Sequence, residues 1–252
     1  MRVISFIKYV ILFALLYVSF LVYSLPAGFL WQYLKPFVEQ DLRRINLQVG
    51  DVGGTVWDGQ VLLKYRGSAG VLMWNLSSAK VMQGQLGIDV RVTSDVGVIN
   101  GSVYGGLDEQ SITLDSAHVY LKNVNPHLTS QKVSLDGELD IKNVLLVLRD
   151  KKIADSIGSL YWTGGNISYP AGREVHVRDL PAFRGNIKWH EPNVLLGIRD
   201  ENASFDVITL LLEQSGWLKL NTTKRVLDLA QEPWPSSSRE DQVVFSMRQK
   251  LF

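Results

Sequence analysis

The chain has 252 residues, with 26 lysines and arginines against 25 aspartates and glutamates and a formal net charge of +1. So even a balance supplies no basic stripe for nucleic acid and no sign of an acidic substrate. Cysteine is absent, which removes disulfides, thiolate metal sites, a cysteine nucleophile and a lipidated N-terminal cysteine together.

Val3–Tyr23 is an apolar run interrupted only by Lys8. At about 1.5 Å per residue, a helix of this length crosses a hydrocarbon core of roughly 30 Å. Lys8 lies near one end, where its stem can carry the ammonium to the headgroups. Arg2 and Lys8 place the N-terminus in the cytoplasm by the positive-inside rule, with Tyr23 and Trp31 at the outer interface. The competing reading is a cleaved signal peptide, since Val22-Tyr23-Ser24 offers small enough residues. The run exceeds the usual ~7–15 residue signal core, which favours an uncleaved anchor. Either way the body is exported.

Leu30, Leu34, Phe37, Val38, Leu42 and Ile45 then recur at helical spacing. This predicts a stalk helix, kinked or split at Pro36. From Val52 the period becomes two. Thr55–Tyr65 reads as a strand with Trp57, Val61, Leu63 and Tyr65 on one face, and Leu86–Val92 as a half-buried strand. Asn100-Gly101 signals a tight turn. The apolar phase shifts between Leu114 and Ala117, which predicts a bulge or break near Asp115-Ser116. Val133–Ile141 reads as strand, turn at Asp136-Gly137, and strand. Val144–Leu148 reads as a strand buried on both faces.

The polar stretch Arg149–Asp155 is a candidate seam, beyond which the same pattern resumes. Ile167 with Tyr169, Val175 with Val177, Ile187 with Trp189, and Leu218 with Leu220 mark further strands. Phe205–Leu212 fits either a strand or a short helix. Glu232–Ser238 has the composition of a linker, and Val243, Phe245 and Met247 alternate as a last edge strand. The expected organisation is a tip and anchor over 1–25 and a stalk over 26–50. Two β-rich halves follow over 51–148 and 149–231, then a tail over 232–252. The fold class is mainly β: one transmembrane helix, a helical stalk and a predominantly antiparallel exported domain.

Reactive constellations are not apparent. The sequence has no nucleophile elbow, phosphate loop or His-Glu-x-x-His. His118, His127, His176 and His190 are dispersed, with His176 and His190 on the polar faces of their strands. Without ligand spacing they read as surface or hydrogen-bonded residues. Asp108-Glu109, Asp200-Glu201 and Glu240-Asp241 read as solvated turn charges, because strand neighbours point to opposite faces. Trp57, Trp74, Trp162, Trp189 and Trp217 are expected to pack in the core, or else to line a lipid groove or partner surface. No catalytic, cofactor or metal residue is assigned, and the chain reads as no enzyme.

Leu25-Pro26-Ala27, then Gly53-Gly54-Thr55-Val56-Trp57-Asp58-Gly59, then Trp74, resembles type II secretion system protein N, the general secretion pathway protein N family. The hallmark stands here as Gly54–Gly59, so Gly54, Thr55, Trp57 and Gly59 are the motif residues, structural in character. Phe183–Trp189 and Ser215–Leu218 are similar to that family's second half. The resemblance implies an accessory inner-membrane protein with its main domain in the periplasm. It would work through protein–protein contacts in export across the outer membrane. Its partners would be other type II secretion components and the lipid of the inner membrane. From the residues alone, Gly54 and Gly59 let the chain enter and leave a strand tightly with Trp57 turned into the core. A weaker likeness, to anchored β-rich AsmA-like proteins, gives the alternative: an envelope lipid-binding or lipid-transfer module.

Overall fold

The computed structural model describes residues 2–82, 84–106, 109–150, 152–172, 174–235 and 237–251, without the side chains of residues 2–10, 78 and 79. Two helices come first, α1 (Arg2–Tyr23) and α2 (Ala27–Arg44). Among the described residues no helix is long and apolar enough to cross a membrane. Pro36 lies inside α2 without splitting it. The chain then enters a β-meander two residues after α2, at Leu47, so the first strand takes part of the segment expected as stalk.

That meander begins with β1 (Leu47–Gly54), β2 (Asp58–Tyr65), β3 (Ser68–Leu76), a short α3 (Ser78–Met82), β4 (Leu86–Ser94), β5 (Gly97–Gly105) and β6 (Glu109–Tyr120). After α4 (Leu121–Leu128) come β7 (Ser134–Leu135), β8 (Glu138–Arg149), β9 (Lys152–Trp162), β10 (Gly165–Ala171) and β11 (Glu174–Leu180). The chain closes with β12 (Phe183–His190), β13 (Asn193–Asp200), β14 (Ile208–Leu212), β15 (Trp217–Thr223), α5 (Lys224–Leu229) and β16 (Val243–Lys250). Thirteen strands form one sheet in the order β1-β2-β3-β4-β5-β6-β8-β9-β12-β13-β14-β15-β16, while β11-β10-β7 form a second. Every pairing is antiparallel. Of the stretch read as a seam, Arg149 pairs with Lys152 and Asp155 with Val147, so β8 and β9 are neighbours in one sheet.

Several local expectations are corrected. Asn100-Gly101 makes no turn. The pair lies inside β5, where the register slips opposite the bulged Asp115 of β6. The phase shift near Asp115 is therefore a bulge in one long strand. Leu135 and Leu139 do not form a hairpin across Gly137, because β7 pairs with β10 in the small sheet. Beyond Tyr120 the chain leaves the sheet, and Leu121 opens α4. The ambiguous Phe205–Leu212 segment resolves as loop and strand, with Val207 fully buried at 0% exposure.

On β11 the alternation is inverted. Val175 and Val177 are 56% and 58% exposed, and His176 and Arg178 turn inward to meet Glu232. A charged residue in the supposed linker decides which face of that strand is inside. Of the carboxylate pairs, Asp108 lies outside the described residues, and Asp200 is 2% exposed rather than solvated. Of the seven tryptophans, the five expected in the core are half-buried, none fully.

Among the described residues one compact cluster of buried side chains forms. Leu180, Phe183, Val207 and Ala230 pack with Trp162, Ile198, Ile208 and Leu229, joining the small sheet and α5 to strands β9–β14. Trp162 stacks on Phe183 at 5.7 Å. Elsewhere the accessible surface is large: 16961 Å² in all, against about 11,200 Å² for a compact monomer of this mass. The excess reflects exposed helices and a long sheet that the small sheet and α5 cover only at its C-terminal half among the described residues.

Candidate functional site

Thr55–Trp57 form the hairpin connection between β1 and β2, with Gly54 ending β1 and Asp58 and Gly59 opening β2, so the strand expected over Thr55–Tyr65 begins at Asp58. The Thr55 N–H donates to the Asp58 carbonyl at 2.7 Å, and the Asp58 N–H donates to Thr55 Oγ1 at 3.1 Å. Threonine here closes the turn with its own hydroxyl. Gly54 sits at φ +82°, where a Cβ would come within 2.5 Å of the Asp58 carbonyl. At Gly59 a Cβ would enter the indole of Trp74 and approach the Gly53 carbonyl to 2.8 Å. The indole takes the space a side chain would need, and Trp74 Nε1–H donates to the Val56 carbonyl at 3.1 Å. Asp58 accepts from Asn75 Nδ2 at 3.0 Å.

Trp57 has a different task. Its Nε1–H donates to the carbonyl of Val22, in the last turn of α1, at 3.0 Å. The Val56 N–H donates to the Leu25 carbonyl at 3.1 Å, and Pro26 bridges to Thr55. Ala27, at the start of α2, is buried. The hairpin is thus a socket that holds the α1–α2 junction against the edge of the sheet, with α2 lying along β1. The sequence placed the motif; it did not place its partner, because a half-buried indole bonded to a helix end 35 residues away leaves no periodic trace.

The second feature is the sheet's division into an apolar and a polar face. Leu72, Val92, Ile99, Ala117, Ile141 and Leu160 are successive cross-strand partners from β3 to β9, so they share one face. That row continues through Gly185, Ile198, Ile208 and Thr222 to Phe245 on β16. A neighbouring row runs Leu76, Ile88, Val103, Ile112, Leu146, Ser156. The opposite face carries Gln60, Met73, Arg91, Asn100, Ser116 and Lys142 in one row. Twelve strand spacings of about 4.8 Å make the sheet about 58 Å across. α4 bars one margin of the apolar face. His127 Nε2 lies 3.1 Å from Ser68 Oγ, and Asn123 Nδ2 donates to the Asp95 carbonyl at 2.7 Å.

His118 and His176 are also tied, while His190 is exposed. His118 Nδ1 lies 2.8 Å from Asp140, and His176 Nδ1 lies 2.6 Å from Glu232 Oε1. The Tyr169 hydroxyl donates to that same oxygen at 2.6 Å, and Arg178 donates to the Ala230 carbonyl at 2.5 Å. This clasp holds the chain after α5 on the small sheet. The hydrogen bond from Tyr169, then that from His176, holds the Glu232 carboxyl below the usual carboxylate range. Burial, then the bond to Glu232, pushes the Tyr169 hydroxyl up to about 12.

The pH dependence follows from those directions. Stability from Glu232 is present above its ordinary value of 4.5 and is lost as pH falls through its lowered value. Stability from Tyr169 is present below 10.0 and is lost as pH rises through about 12. Melting curves of the wild type and Glu232→Gln are expected to converge in acid and to separate above pH 4.5. Curves that stay equally separated throughout would disprove the clasp. Among the described residues no three His, Asp or Glu side chains gather as a metal site.

The sequence profile of the family described as type II secretion system (T2SS), protein N matches residues 45–233. The match takes in the socket, the apolar face up to β15, and the clasp. No curated protein and no solved structure matches the chain. The chain belongs to the type II secretion system protein N family and is a component of type II secretion.

Proposed function

We propose that the protein is an accessory inner-membrane component of the apparatus, anchored by Val3–Tyr23, with its sheet in the periplasm. It works by contact with other secretion components and performs no chemistry of its own. The observation that carries this reading is the socket: Trp57 and Val56 fix the sheet to the end of an apolar helix of 22 residues. The anchor itself rests on the apolar sequence Val3–Tyr23, not on the helix as described. A rigid junction would hold the sheet at a set height above the bilayer. Tethering would also raise its effective concentration near its partners.

The test combines topology with secretion. A reporter active only in the cytoplasm, fused after Ser238, is expected to be silent. In cells deleted for the chain, the full protein should restore secretion. A form with Val3–Tyr23 replaced by a cleaved signal should restore markedly less. Reporter activity would overturn the topology, and full rescue by the untethered form would overturn the role of the anchor.

A further inference from the structure

We infer that β16 is a docking edge, to which an acidic extended segment of a partner protein adds a strand. β16 ends the thirteen-strand order, with β15 on one side and no strand on the other. The Leu251 N–H donates to the Gly216 carbonyl at 2.9 Å, which sets the phase of the β15–β16 ladder. Phe245, Met247 and Gln249 therefore turn their backbone groups to Thr222, Leu220 and Leu218. Ser246, Arg248 and Lys250 turn theirs outward, and all three residues are exposed.

This edge is undefended. Sheets blunt an edge with proline, a bulge, an inward charge or a covering element. The opposite edge has two of these. β1 is irregular between Val49 and Val52, and α2 lies along it so closely that a Cβ on Gly28 would stand 3.1 Å from the Val52 carbonyl. β16 is irregular only opposite Thr222 and Thr223, and Phe245–Lys250 runs on in register without proline. Among the described residues β15 is the only element in extensive contact with it.

The chemistry of the edge selects the occupant. A row of donors and acceptors at strand spacing is matched by another extended backbone. A helix has its own amides paired, and an acyl chain has none to offer. On the polar face Lys219 stands directly opposite Arg248, with Lys250 two residues on. Glu213, 2.7 Å from Arg248, is the one carboxylate paired there among the described residues. Like charges across neighbouring strands are destabilising, so acidic residues on an added strand relieve them. A second copy does the reverse. Antiparallel pairing of β16 with itself through all three outward residues sets Arg248 against Arg248. On the other face Phe245 and Met247, 52% and 43% exposed, offer apolar neighbours. The occupant is a strand that alternates acidic and apolar residues. That it belongs to a secretion component rests on the contact reading proposed above; the open edge does not.

The probe is a fluorescein-labelled peptide of Val-Glu repeats, titrated into the full chain in detergent and followed by anisotropy. Ser246→Pro leaves the bonds to β15 in place, because the Ser246 N–H points away from them, and an edge strand accepts proline on that side. It should weaken the peptide at least about tenfold, since added strands bind through main-chain hydrogen bonds. Ser246→Ala gives up the same bond from Ser246 Oγ to Asn221 and should bind as the wild type does. A peptide of Val-Lys repeats should bind far more weakly, and a Val-Glu peptide methylated on its amide nitrogens should not bind. Undiminished binding to Ser246→Pro or by either altered peptide, or no saturable binding of the Val-Glu peptide, would overturn the proposal. If Ser246→Pro does not melt as a folded sheet, the methylated peptide decides alone. A dimer of the full chain in light scattering that Ser246→Pro dissolves would show that β16 meets its own copy, and would overturn it too. Secretion by cells deleted for the chain keeps the two readings apart. Rescue by Ser246→Ala but not by Ser246→Pro is expected. Rescue by both sinks the docking edge alone, whereas failure of the wild-type chain to rescue sinks the contact reading.

Discussion

Arg225→Ala is expected to lower the unfolding free energy by about 3–5 kcal/mol, among the largest single-residue effects in the protein. Asp200 ends β13 with its side chain 1% exposed, and the Arg225 guanidinium donates to Oδ2 at 2.9 and 3.3 Å. The other carboxylate oxygen has no partner. Removing the arginine would leave a buried carboxylate without its counter-charge, which costs more than the pair contributes. The pair also fixes α5 over the cluster of Phe183, Val207 and Ala230, so losing it loosens that cluster. Denaturant unfolding of the full chain in detergent measures the effect. The double replacement Asp200→Leu with Arg225→Met should recover most of the loss, because no charge is then stranded. A loss under about 1 kcal/mol in Arg225→Ala would mean that water reaches Asp200.

Much of the architecture was legible because half of it is repetition. Leu86–Val92 and Ile187–Trp189 alternate at period two, and alternation survives wherever one face of a strand is apolar and the other meets water. What failed did so for identifiable reasons. Asn100-Gly101 has turn chemistry, but a bulge opposite Asp115 uses the same permissive residues without reversing the chain. Val175 and Val177 look like a core face. Three polar groups bonded to Glu232, 54 or more residues later, turn that strand over. Asp200 looks like a turn charge until Arg225 arrives from α5. Long-range polar pairing leaves no local pattern.

The socket shows the same division. Gly54, Thr55, Trp57 and Gly59 were recognisable as a unit, and the need for glycine at two points was physically sound. The burial of Trp57 in a strand was not, because the decisive contact is with the Val22 carbonyl. The extent of the apolar face was also implicit in the alternation. Which part of it is covered was not, since a strand packed under a second sheet shows the same period.

Gly59→Val is expected to destabilise the sheet by about 1–3 kcal/mol or more, since the new side chain must displace the Trp74 indole or the Gly53 carbonyl. Trp74→Ala is expected to cost about 3 kcal/mol, the low end for a tryptophan because the ring is half-buried. The two should be strongly non-additive. With the indole gone only the approach to the Gly53 carbonyl remains, so the double variant should lose clearly less than the sum of the two single losses. Additive losses would show that Gly59 is constrained by its backbone and not by the ring. Trp57→Ala separates the other half of the socket. It gives up one hydrogen bond and part of a half-buried ring, about 1–2 kcal/mol. Its main effect should be to release α1 from the sheet, exposing Ser24–Ala27 to protease while the strands remain folded. Cleavage no faster than in the wild type would mean that Val56 and Pro26 hold the junction without the tryptophan.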